Sequence, residues 1–157
     1  MNRVTKIIEE IHNLLVDKTV LEVACGDSEF SLVSSKYAKS VIGIDLSLNR
    51  IRKRDLENTY ENVVFKEMDA ANLKFEDEYF DITACYNAIC HLGEKINKVI
   101  EEMQRVTKKG GYLIFMCTWK MEKARLLNLL LDYKQNENVE AYNIDKGEYK
   151  IALIEKM

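Results

Sequence analysis

The strongest constraint on the fold is an alternation of two hydrophobic periods along nearly the whole chain. Residues 2–16 carry Val4, Ile7, Ile8, Ile11 and Leu15 at helical spacing. Thr19–Ala24 (TVLEVA) reads as a short strand, and residues 29–38 read as a helix with Phe30, Val33 and Tyr37 inward. Ser40–Asp45 (SVIGID) is a second buried strand. Ser47 stands where an N-cap would begin a helix running to about Tyr60. Val63–Met68 and Phe80–Tyr86 follow as strands, the second (FDITACY) apolar enough to be central. A helical stripe of Ile96, Val99, Ile100, Met103 and Val106 spans about Glu94 to Thr107, and Lys108-Lys109-Gly110-Gly111 ends it in basic-then-glycine order. Tyr112–Thr118 is a fifth strand, and Lys120–Tyr133 a helix with Met121, Ala124, Leu127, Leu130 and Leu131 inward. Val139–Ile144 and Tyr149–Ile154 form a hairpin around Asp145-Lys146-Gly147.

Strands separated by helices make an α/β domain: one doubly wound, mostly parallel seven-stranded sheet with a terminal antiparallel hairpin. At 157 residues, with no linker, repeat or biased segment, residues 1–157 are expected to form a single domain. Its first helix, residues 1–16, is expected to cover the site.

Composition narrows the function. Lys and Arg number 23 against 26 Asp and Glu, a net charge of −3, which speaks against a nucleic-acid binder working by phosphate neutralisation. No apolar run approaches the roughly 20 residues of a membrane span. The N-terminal stretch has charges inside it and no small-residue cleavage site, unlike a signal peptide. Cys25, Cys85, Cys90 and Cys117 include no C-x-x-C pair, and the only histidines are His12 and His91. No metal-ligand spacing is present, and free thiols fit a reducing cytoplasm. Proline is absent, which removes every chemistry built on a proline motif.

In an open α/β sheet the ligand lies beyond the carboxyl ends of the strands, beside the first one. After that strand the chain reads Glu22-Val23-Ala24-Cys25-Gly26-Asp27-Ser28, with small residues alternating. A turn of little bulk lets a ligand approach the backbone. Asp45 ends the second strand, 19 residues past Gly26, where an acid accepts both hydroxyls of a ribose. Asp69-Ala70 follows the third, where a carboxylate and a backbone N–H can read an adenine edge. A nicotinamide dinucleotide fits poorly. The third position of G-x-G-x-x-G would be Glu29, and the pyrophosphate would lie near Glu22 and Asp27. A cationic or zwitterionic nucleoside suits this acid-lined turn better.

These residues resemble the class I S-adenosylmethionine-dependent methyltransferases, type 11, the ubiquinone/menaquinone-methyltransferase-like branch. Glu22–Ser28 is similar to the family's acid-x-G-x-G-x-G, with Ala24 and Ser28 replacing two glycines. Gly43-Ile44-Asp45-Leu46-Ser47 matches G-x-D-x-S. Asp69-Ala70-Ala71-Asn72-Leu73-Lys74-Phe75-Glu76-Asp77-Glu78-Tyr79-Phe80-Asp81 matches D-A-x-x-L-P-F-x-D-x-x-F-D, with Lys74 in place of the proline. Glu102–Gly111 is similar to the lead into the fifth strand. The resemblance covers about residues 15–119 and implies a Rossmann-like fold and S-adenosylmethionine as cofactor. It further implies that Glu22 and the Ala24-Cys25-Gly26 backbone hold the methionine amino end. Asp45 would bind the ribose, Leu46 would pack on the adenine, Asp69 and Ala70 would read its edge, and Asn87 would line the sulfonium region. His91 is a candidate general base, or a packing residue. Tyr86 and Trp119 line the pocket or simply pack. The absence of [ND]-P-P-[YF] and Pro-Cys motifs disfavours nucleic-acid and glutamine methylation.

The expected activity is methyl transfer to a small-molecule acceptor by in-line displacement. The alternative is a catalytically degenerate cofactor-binding subunit acting with a partner, motivated by the replaced glycines. The run Arg50-Ile51-Arg52-Lys53-Arg54, followed by Asp55, Glu57 and Glu61, reads as a solvated helix face. Leu126 and Leu129, off the inward stripe, suggest a homodimer contact through the 120–133 helix.

Overall fold

The computed structural model describes residues 1–57, 60–133 and 139–157, without the side chains of 130, 131 and 133. Seven strands form one sheet in the order β3-β2-β1-β4-β5-β7-β6. They are β1 (Thr19–Val23), β2 (Ser40–Asp45), β3 (Val63–Glu67), β4 (Phe80–Tyr86), β5 (Thr107–Cys117), β6 (Val139–Asp145) and β7 (Lys150–Lys156). β7 alone runs antiparallel to its neighbours β5 and β6, so the expected mixed topology is the one observed. The strand order reverses between β1 and β4, and this switch point opens the crevice.

The central strands β1 and β4 and the body of β5 are buried on both faces, which explains their near-continuous apolar runs, while the edge strands β3 and β6 are largely open to solvent. Along β5, Ile114 and Met116 join a core with Val4, Ile7, Ile8, Ile11 and Leu15 of α1 (Arg3–Leu15) and Phe30 of α2 (Glu29–Ser34). Leu113, Phe115 and Cys117 point the other way, toward Val99, Met103 and Val106 of α5 (Ile96–Val106) and Leu126 of α6 (Lys120–Tyr133). Asn2 caps α1, its side chain accepting from Thr5 N–H at 2.9 Å.

Four expectations need correction. α2 stops at Ser34, where the Ser34 and Ser35 hydroxyls bond back to the carbonyls of Ser31 and Leu32, so Tyr37 lies outside it, partly exposed against the His12 ring. The helix expected from Ser47 is only α3 (Lys53–Glu57), because Ser47 closes a local turn by accepting from Asn49 N–H; residues 58 and 59 lie outside the described residues. The helix expected from Glu94 is divided into α4 (Ile89–Leu92), a 3-10 turn and α5, and Thr107–Gly111 belongs to β5 rather than to a helix end. On α6 the inward residues are Glu122 and Leu126, while Met121, Ala124 and Leu127 are exposed. Leu126 fills the core and Leu129 packs partly buried against it, so neither forms the exposed apolar face expected of them; Leu130 and Leu131 lie outside the described side chains. All four cysteines are free, and no metal-binding cluster occurs among the described residues.

Arg105 of α5 fixes the loop between β3 and β4. Its guanidinium donates to the carbonyls of Leu73 and Phe75 and to Glu102 and Asp77, at 2.8–3.0 Å. Glu102 in turn accepts from Leu73 N–H at 2.8 Å. This network holds the segment whose first residues are Asp69 and Ala70.

Candidate functional site

A cavity of about 510 Å³ opens at the switch point. Its wall joins the loops after β1, β2, β3 and β4: Ala24, Cys25, Gly26, Asp45, Leu46, Asp69, Ala70, Asn87 and His91 all reach it. Of the ten site residues expected from sequence, only Glu22 does not.

The β1 loop is built on left-handed backbone. Ala24 has φ 52°, Gly26 53° and Ser28 73°. Ala24 and Ser28 therefore hold the conformation that glycine adopts freely, at a cost of roughly 1–2 kcal/mol each. Cys25 N–H donates to Ile44 C=O at 2.8 Å and Gly26 N–H to Asp45 Oδ2 at 2.9 Å, tying the loop to the end of β2. Asp45 Oδ1 has only a long 3.4 Å contact with Ser47 N–H, so it remains available to a ligand.

Asp69 Oδ1 accepts from Ala71 N–H at 2.9 Å, closing a turn, and Oδ2 faces Lys95 Nζ at 3.6 Å. Ala70 is buried, yet its N–H makes no hydrogen bond to any described residue. A donor left open in a cavity wall is one a ligand can satisfy. Leu46, 65% exposed, offers an apolar face beside Asp45. Asn87 (φ 51°) is fixed rather than free: its side chain donates to Thr118 Oγ1 at 2.7 Å and accepts from Thr118 N–H at 2.8 Å. His91 stands edge-on to Trp119, ring centroids 5.8 Å apart, with no hydrogen bond to a described residue.

Glu22 shares the face of Val20, toward α2. It is 1% exposed and accepts from Ser31 Oγ at 2.7 Å and Ser31 N–H at 3.2 Å. Burial pushes its carboxyl well above the usual range, against the opposing effect of the Ser31 bonds. A buried acid of this kind is protonated in the folded chain at pH values where the unfolded chain has released its proton. Stability therefore falls as pH rises from the ordinary carboxylate value toward the raised one, and the loss is complete above it. Glu22→Gln should match the parent's melting temperature below pH 4 and exceed it increasingly as pH rises; a constant difference would place the shift elsewhere.

Arg50 and Glu29 were not singled out as site residues by the sequence. Arg52 pairs with Asp55 at 3.0 Å and Lys53 with Glu57 at 3.6 Å on α3 and its approach, but Arg50 turns into the cavity. Its guanidinium lies over Gly26, where a Cβ would meet it at 3.2 Å. The signal was present: Arg50 has no acid three or four residues on. Glu29 lines the cavity and also a second one beyond it.

The family model for a methyltransferase domain matches residues 21–115. The chain is 33% identical over 106 residues to phthiotriol/phenolphthiotriol dimycocerosates methyltransferase 1 of Mycobacterium ulcerans (strain Agy99), covering 66% of this chain and 39% of that protein. It is 29% identical over 126 residues to the ubiquinone biosynthesis O-methyltransferase of Nitrosomonas europaea, covering 78% and 53%. The chain thus spans about half the length or less of these relatives. The solved structure of a SAM dependent methyltransferase from Aquifex aeolicus superposes with a TM-score of 0.76 at 20% identity, covering 97% of this chain and 88% of that one. Fold, motif order and family match agree, and the chain belongs to the class I S-adenosylmethionine-dependent methyltransferases of type 11.

Proposed function

We propose that this domain is a cytoplasmic enzyme that transfers a methyl group from S-adenosylmethionine to a small-molecule acceptor by in-line displacement. The observation that carries the reading is the juxtaposition, in one cavity, of an available Asp45 oxygen and the open N–H of Ala70, beside a loop of left-handed small residues. A ribose needs the first, an adenine edge the second, and a close-lying methionine chain the third. S-adenosylmethionine supplies a methyl group on a positively charged sulfur, which departs as a neutral thioether.

In this reading Asp45 holds the ribose hydroxyls and Leu46 packs on the adenine. Asp69 and Ala70 read the adenine edge, with Lys95 bracing Asp69. The Ala24-Cys25-Gly26 backbone and the locked Asn87 guide the methionine end. Glu22 acts from behind the loop, fixing α2 through Ser31. Alignment and exclusion of water do most of the work of such a transfer. The N-terminal end of α1 closes the acceptor side, and His91, with free ring nitrogens, is available to a proton there. The degenerate reading has no observation in its favour, since Ala24 and Ser28 keep the backbone of the glycines they replace.

The test is thermal unfolding with S-adenosylmethionine, S-adenosylhomocysteine and NAD, each at about 100 times its dissociation constant, where specific binding adds about 2.7 kcal/mol. The two sulfur nucleosides should raise the melting temperature by roughly 5–10 °C at this size, and NAD should not. Stabilisation by NAD alone would overturn the reading.

A further inference from the structure

A second cavity, of about 560 Å³, adjoins the first. The two share Glu29, Tyr86, Asn87 and Trp119. Its outer part is formed by the start of α1, with Arg3 and Lys6, and by Glu148. Lys6 is neutralised by Glu148 at 2.7 Å. Arg3 makes no hydrogen bond or ion pair with any described residue, and the first turn of α1 holds no acid to offset it. At the inner end Glu29 Oε1 accepts from Asn2 Nδ2 at 2.9 Å, while Oε2 has no partner among the described residues. Thus the cavity has a carboxylate with one open oxygen at the junction and, at its mouth, a guanidinium that feels Glu148 but has no hydrogen-bonded partner among the described residues, with the half-exposed Trp119 as an apolar wall between cavities.

We propose that this second cavity is the acceptor subsite and that the acceptor is amphoteric: an amine held by Glu29 at the junction, and a carboxylate or other anionic group held by Arg3 at the mouth. The proposal rests on the methyltransferase reading above. The ammonium held by Glu29 first gives one proton to solvent, and the amine reacts as its free base. Its nitrogen lone pair forms the new N–C bond, the C–S pair stays on sulfur, and the positive charge passes from sulfur to nitrogen. Glu29 then lies beside the charge that develops, which is where a fixed carboxylate accelerates the step. The electrostatic surroundings agree: burial, then Glu29, Asp27 and Glu22, push the Tyr86 hydroxyl up to about 12. Arg3 acts on the same hydroxyl in the opposite direction, so both charges of the subsite are felt at Tyr86.

The experiment uses the full chain saturated with S-adenosylhomocysteine, so that no turnover occurs. Phenylalanine, phenethylamine and 3-phenylpropionate are titrated as matched probes, with catechol as a neutral one. Phenylalanine should bind about tenfold or more tightly than either single-function probe. Glu29→Gln should abolish its advantage over 3-phenylpropionate, and Arg3→Gln its advantage over phenethylamine, while S-adenosylhomocysteine affinity stays within twofold in both. Catechol binding as tightly as phenylalanine, or no probe binding to the loaded protein, overturns the proposal. So does a Glu29→Gln variant that loses affinity for S-adenosylhomocysteine but not for 5′-methylthioadenosine, since Glu29 would then hold the donor's own ammonium. Failure of the parent chain to bind S-adenosylhomocysteine at all is a separate result, which removes the methyltransferase reading first and this subsite with it.

Discussion

Asp45→Ala should weaken S-adenosylhomocysteine binding by about 100-fold or more. Hydrogen bonds to charged groups are worth about 1.5–3 kcal/mol each, and two ribose hydroxyls on one carboxylate reach about 3 kcal/mol, with tenfold in affinity per 1.4 kcal/mol. The same side chain also shapes the loop, because Oδ2 takes the Gly26 N–H at 2.9 Å and Gly26 sits at φ +53°. Two probes separate these roles. 5′-Methylthioadenosine keeps the ribose and lacks the amino acid, so it should lose the same factor if Asp45 acts on the ribose. Asp45→Asn retains an acceptor for Gly26 N–H but loses the charge, so it should fall between, near tenfold. A variant that melts earlier yet binds both nucleosides as before would confine Asp45 to the loop.

The carboxyl ends of the first five strands were legible to within one residue, because these strands close as short apolar runs bounded by polar or small residues. Phe80–Tyr86 and Ser40–Asp45 have the expected limits. Once the strands are right, the loops that follow β1, β2, β3 and β4 must meet at the switch point, and nine expected residues do meet there.

What the sequence could not show were choices between two faces. β1 is buried on both sides, so Val20, Leu21 and Val23 give no alternation to say where Glu22 points. Its partner Ser31 is nine residues away, on α2. α6 is apolar on more than one side, and the inward face contains Glu122, a residue that pattern reading assigns to water. Glu122 is fully buried; its Oε1 accepts from Cys90 N–H at 2.9 Å, a tertiary contact 32 residues distant, while its Oε2 has no partner among the described residues. The Lys108-Lys109-Gly110-Gly111 stretch has the composition of a helix end, yet β5 begins at Thr107 and pairs there with Phe80. Local chemistry was outvoted in each case by a neighbour remote in sequence.

That same stretch yields the largest expected loss of stability. A Cβ on Gly111 would stand 2.4 Å from the Asp81 carbonyl oxygen and 2.9 Å from that of Lys108. Both are backbone atoms, and Asp81 lies where the β4–β5 register shifts between Phe80 and Ile82. Neither can turn aside as a side chain would. Gly111→Ala should cost about 3 kcal/mol, the upper range for overpacking, and lower the melting temperature by roughly 6–12 °C at this chain length. Its neighbour is the control. Gly110 has φ +81° and open space around a Cβ, so Gly110→Ala meets only the conformational cost of about 1–2 kcal/mol. Equal losses at the two positions would show that the sheet yields at Asp81. The two variants should also differ at the site. Displacing β4 moves Tyr86 and Asn87, so Gly111→Ala should weaken S-adenosylhomocysteine binding below its own melting transition, while Gly110→Ala should leave it unchanged.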